Sequence, residues 1–132
     1  MNILFRTNTS NPYLELRDVK RYKDGSGYSS YLIVRSGAFS VDKPFYFEEY
    51  VLDQFLDQLI EMNRTLSGKA TLKPFYEPEY IALEMLNRGH VLVTGEFFGF
   101  DLAEQHLKFG FETDQTCLEA LIADLKSCRK DV

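Results

Sequence analysis

No lysine or arginine occurs between Lys43 and Arg64, although the chain carries 15 such residues elsewhere. Tryptophan is absent, and there are only two cysteines and four prolines among 132 residues. Aliphatic runs are short, whereas a bilayer-spanning helix needs roughly 20 apolar residues in succession. Met1–Arg6 shows no basic stretch leading into a long apolar one, so no signal peptide is expected and a cytoplasmic protein is the default. Cys117 and Cys128 are eleven positions apart in an expected helix, which separates them by about 16 Å. A disulfide needs Cα atoms within about 7 Å, so this pair is excluded.

What is present defines an ordinary globular chain. With 45% hydrophobic and 27% charged residues it is apolar enough to fold, and its length predicts one domain over 1–132. Aromatic residues are abundant, with 11 Phe and 8 Tyr. The stretch without positive charge holds Glu48, Glu49, Asp53, Asp57 and Glu61 and accounts for the whole net charge of −5. Within it Val51, Leu52, Phe55, Leu56, Leu59, Met62 and Leu66 form one stripe of a 3.6-residue helix. Asp53, Asp57 and Glu61 fall opposite that stripe with Tyr50 and Gln54, while Ile60 lies at the margin. Glu48 and Glu49 sit in the first turn, where the helix dipole favours acids. Ser67-Gly68 predicts the helix end.

Strands are predicted on both sides of this helix. Before it come Tyr13–Tyr22, a turn at Lys23-Asp24-Gly25-Ser26-Gly27, Tyr28–Val34 and Ala38–Phe47. After it come Lys69–Phe75, bounded by Pro74 and Pro78, then Tyr80–Leu86, Val91–Phe98 and Gln105–Glu112. Turns are predicted at Asn87-Arg88-Gly89-His90 and Phe98-Gly99-Phe100-Asp101. Thr113 or Asp114 reads as the cap of a last helix, with Leu118, Leu121, Ile122 and Leu125 on its apolar face and Lys126, Arg129 and Lys130 at its end. No internal repeat is apparent. The expected fold is α+β, a predominantly antiparallel curved sheet of about seven strands with two amphipathic helices, in the order βββ-α-ββββ-α.

Catalytic signatures are sparse. His90 and His106 have no Cys or His at ligand spacing, so no metal or cofactor is expected. There is no G-x-S-x-G elbow, and Gly25-Ser26-Gly27 lacks the third glycine and the helix of a phosphate cradle. Arg17, Lys20, Arg21 and Lys23 form the one basic cluster, which could serve RNA or simply guard a strand edge. The aromatic excess admits a pocket for a small molecule or an enzyme site near Phe97, Phe98 and Phe100, though core packing accounts for it better. A helix charged for solubility usually interleaves signs, and this one does not. Its acidic face is either a solvated helix surface, as most are, or a docking surface for a basic protein, with Glu49, Tyr50, Asp53, Gln54, Asp57 and Glu61 in contact.

The segment Phe111-Glu112-Thr113-Asp114-Gln115-Thr116-Cys117-Leu118 resembles the F-x-x-D-Q-[ST]-Y-L entry to the last helix in immunity proteins of the WapI type, the partners of a bacterial polymorphic toxin. Arg35-Ser36-Gly37-Ala38-Phe39-Ser40 is similar to that family's central strand, and Leu66-Ser67-Gly68-Lys69-Ala70 to its exit from the first helix. Arg88-Gly89-His90-Val91-Leu92-Val93-Thr94-Gly95-Glu96 resembles its G-H-[VI]-x-V-x-G-E hairpin. The chain departs from the pattern at Cys117, where the family usually has Tyr, and at Ser30-Tyr31-Leu32, where it often has Asn-Trp-Leu. The resemblance covers residues 13–126 and implies a non-enzymatic cytoplasmic protein that binds and blocks a toxin's C-terminal domain, which the acidic helix face would suit if that domain is basic.

Overall fold

The computed structural model describes residues 1–7, 9–99 and 103–130, with the backbone alone for Lys130. Four strands, β1 (Ile3–Phe5), β2 (Tyr13–Arg21), β3 (Gly27–Ser36) and β4 (Phe39–Glu48), pair antiparallel in sequence order. Helix α1 (Glu49–Thr65) follows directly. Four more strands, β5 (Lys69–Leu72), β6 (Tyr80–Met85), β7 (His90–Gly99) and β8 (Gln105–Asp114), form a second antiparallel sheet in the same order, before helix α2 (Thr116–Lys130). The α+β class, antiparallel pairing and both helices agree with the sequence expectation.

Two details differ. The order is ββββαββββα in two four-stranded sheets, where about seven strands in one curved sheet were expected. The added strand is β1, whose three residues are too short to display an alternating pattern. A bulge between Arg17 and Lys20, with Asp18 at φ 53, kinks β2 beside it. There Asn2 Oδ1 accepts from the Asp18 amide and Met1 O from the Val19 amide, at 3.0 and 2.8 Å.

Each helix leans on the sheet it does not follow. α1 lies against β5 as well as β3 and β4, and α2 lies against β1, β2 and α1. The Gln58 side chain accepts the Thr71 amide at 2.9 Å, tying α1 to the exposed edge of β5. The α1 stripe is buried as expected from Val51 to Met62, but Leu66 is not part of it. Leu66 adopts the left-handed conformation that closes the helix, φ 54, and its N–H reaches Met62 O at 2.9 Å. The helix thus ends at Thr65, ahead of Ser67-Gly68.

The aromatic excess is divided between core and surface: eight of the described aromatic residues are buried and seven are exposed. Tyr28, Phe47, Phe45, Phe97, Phe109 and Phe111 form a continuous row of neighbouring rings, with centroids 5.4–6.1 Å apart. Phe45 against Phe97, edge to face at 5.8 Å, is the step that crosses between the sheets. Beside it the Lys43 ammonium of β4 donates to the Glu79 carboxylate and, at 2.8 Å, to the Phe98 carbonyl oxygen. Glu79 in turn accepts the Phe98 amide at 3.0 Å. One ion pair therefore clamps the two sheets.

Both cysteines are buried and neither forms a disulfide, as their spacing required. Burial pushes the Cys117 thiol from 9.0 up to about 11, with Asp114 adding to the rise. A pKa raised on folding contributes stability that is complete below the unfolded value and lost through the folded one. The urea midpoint should accordingly fall between about pH 9 and 11, and Cys117→Ala should flatten that limb. An unchanged alkaline limb in the variant would show that the thiol contributes nothing there.

Candidate partner-binding surface

The acidic helix begins in a network more than in open solvent. Its first residues meet the β2–β3 hairpin, where Ser26 O accepts the Glu49 amide at 3.0 Å and so satisfies one orphan N–H of the helix start. The Glu49 carboxylate pairs with Arg21, a half-buried guanidinium that this contact holds firmly protonated. Asp53 is partly buried and lies 3.4 Å from Arg129 of α2. Glu61 is exposed but pairs with Arg64 one turn on, which keeps its carboxyl below the ordinary range. Asp57 and Gln54 are exposed.

The expected face is thus only partly brought together as open negative surface. Tyr50, Gln54, Asp57 and Glu61 point outward, whereas Glu49 and Asp53 are committed to arginines from other elements. For Glu49 and Asp53 the balancing charge arrives through the fold, from β2 and α2, whereas Glu61 finds Arg64 within the helix. The same pairing reduces the basic cluster. Arg17 is bound to Glu15 at 2.7 Å and Arg21 to Glu49, which leaves Lys20 and Lys23 as its more open members.

Sequence reasoning missed the surface next to the helix. Tyr22, Tyr46, Tyr50, Phe75 and Tyr76 are all exposed, Tyr76 fully so. Tyr50 stacks on Phe75 at 6.2 Å, and Tyr76 meets Phe75 edge-on at 6.4 Å. The loop 73–79 that carries two of these rings was expected to begin as strand, but β5 stops at Leu72 and Tyr76 takes φ 63. The signal available in the sequence was Lys73-Pro74-Phe75-Tyr76-Glu77-Pro78, two aromatics bracketed by prolines, which marks a turn holding apolar side chains outward.

A concavity of about 620 Å³ opens between β4 and the β7–β8 ribbon, lined by Phe39, Lys43, Phe97, Phe98, Gln105 and His106 among others. It lies where a small-molecule pocket was expected, although Phe97 is buried in the ring row and Phe100 is outside the described residues, as is Asp101 of the predicted turn. Its ionisable groups are engaged already: Lys43 with Glu79, Asp42 with Arg35 at 2.7 Å, and the His106 ring with Glu96 at 3.2 Å. Among the described residues no group of three His, Cys, Asp or Glu side chains could hold a metal ion, and no helix is long and apolar enough to cross a membrane.

The short segments singled out in the sequence prove to be structural joints. Gly89 and Arg88 turn the β6–β7 connection with φ of 76 and 61. Gly89 O accepts the Gln115 amide at 2.8 Å, and a Cβ on Gly89 would meet Gln115 Oε1 at 2.8 Å. Asp114 accepts the Thr116 amide at 2.9 Å and so caps α2. The glycine-histidine hairpin and the entry to α2 therefore interlock. Arg35–Ser40 forms the β3–β4 turn around Gly37, with the Asn11 amide bonded to both the N–H and the carbonyl oxygen of Gly37.

No curated protein matches the chain. Among solved structures, a chain from the "Crystal structures of trypanosoma bruciei MRP1/MRP2" superposes with a TM-score of 0.55 at 11% identity, covering 97% of this chain and 81% of that one. At that identity the likeness concerns the fold alone. The model of the Immunity protein WapI-like family matches residues 5–131, nearly the whole length, and the chain belongs to that family.

Proposed function

We propose that the chain acts as one unit that binds and blocks a basic toxin domain, and that the outward face of α1 is part of the contact. The observation that carries this reading is the side of α1 on which Tyr50, Gln54, Asp57 and Glu61 stay open while the opposite side is fully buried. Family membership supports a toxin-neutralising role that requires no chemistry of its own, only a complementary interface. Glu49 and Asp53 border the face, and their arginine partners fix them in place. Acidic rim groups act mainly on encounter, raising association rates with a cationic partner in a salt-sensitive way.

The test is co-expression with the toxin encoded beside the gene. Replacing Asp53, Asp57 and Glu61 by Lys should abolish protection. Because Asp53 also holds Arg129, the exposed pair Asp57→Lys/Glu61→Lys separates binding from folding. We expect at least about tenfold weaker binding at physiological salt, chiefly through slower association. Unchanged affinity and protection in both variants would exclude this face.

A further inference from the structure

Next to the acidic face, the end of β4, the β2–β3 hairpin and the loop after β5 enclose a shallow depression of about 260 Å³. Tyr22, Tyr46 and Phe75, all exposed, line it together with Glu48 and Glu77. Gly27 lies in its floor, where a Cβ would stand 2.5 Å from the Phe47 carbonyl oxygen, so the hairpin can close down on β4 only with glycine there. One oxygen of Glu48 accepts the Phe75 amide at 2.9 Å, which orients the carboxylate and leaves its second oxygen available. No lysine or arginine is among the lining residues. The nearby Lys73 ammonium donates to the Glu77 carbonyl oxygen at 2.8 Å.

Exposed aromatic clusters are uncommon on a surface without a partner. Ring faces attract cations, and adjacent carboxylates strengthen that attraction. A guanidinium suits the site better than an ammonium, because its plane stacks on tyrosine while its edge forks onto a carboxylate. We propose that this depression is the socket for one arginine side chain of the toxin domain, an anchor beside the α1 face. The proposal rests on the toxin-binding reading above.

The experiment has two arms. In the first, the full chain labelled with ¹⁵N is titrated with acetyl-Gly-Arg-Gly-amide and with its citrulline counterpart, which keeps the shape and lacks the charge. Shift changes should centre on the amides of Tyr22, Tyr46, Phe47 and Phe75, should be weaker with citrulline, and should vanish in Tyr46→Ala. Equal responses to both peptides, or changes confined to Asp57 and Glu61, would overturn the socket. In the second arm Tyr46→Ala, an exposed position whose loss leaves the core intact, is measured against the neighbouring toxin. About a tenfold loss of affinity is expected. If Tyr46→Ala binds normally while Asp57→Lys/Glu61→Lys does not, the socket fails and the α1 reading survives. If Tyr46→Ala weakens binding and the α1 variant does not, the socket stands and the α1 reading fails.

Discussion

Glu79→Ala should destabilise the protein by about 3 kcal/mol, lowering the melting temperature by about 10 °C. The reason lies in what remains. Lys43 keeps about a quarter of its side chain exposed, yet its ammonium is aimed at the junction of the two sheets and would lose its counter-charge there. The Phe98 amide would lose its acceptor as well. An uncompensated charge costs more than a missing pair, so Lys43→Met combined with Glu79→Leu should recover at least about half of the loss. Thermal and urea unfolding of Lys43→Met, Glu79→Leu and the double variant, beside Glu79→Ala, check this. A double variant as unstable as the sum of the singles would mean that the groups act separately.

Gly95→Ala should cost about 2–3 kcal/mol, more than alanine usually costs in a core. Gly95 has no left-handed φ, and alanine in an ordinary strand would normally gain over glycine. Here a Cβ would stand 2.6 Å from Phe109 Cε1 and 2.9 Å from the backbone oxygen of Tyr80. The ring cannot swing aside, because Phe109 is stacked between Phe97 and Phe111 at 6.0 and 6.1 Å. Adding Phe109→Leu should return part of the stability, which a purely conformational role for Gly95 would not allow. Denaturant midpoints of the single and double variants distinguish the two causes.

Local signals in the sequence were read well because they are satisfied locally. The α1 stripe, the α2 stripe with its Asp114 cap, the glycine turns and the antiparallel alternation all depend on neighbours within a few residues. Strand β1 escaped notice because three residues carry no period, and the division into two sheets because strand patterns do not record which strands lack a mutual bond. The surface was harder to read. Arg21, Arg64 and Arg129 neutralise acids of α1, and only Arg64 is near in sequence. The rings of Tyr22, Tyr46, Tyr50 and Phe75 come from three separate segments, so their convergence is a product of the fold.

The two-fold repetition of four strands and a helix has a kinetic meaning. Every strand pairs only with its neighbours in the chain, so both sheets can grow by closing short loops, which is entropically cheap and fast. The slow closure is the docking of α2 on β1 and β2, nearly the full length of the chain away. A nascent chain would carry the β1–β2 side of its first meander without its covering helix until α2 is synthesised. Its period of greatest exposure to aggregation therefore ends only when the last helix arrives.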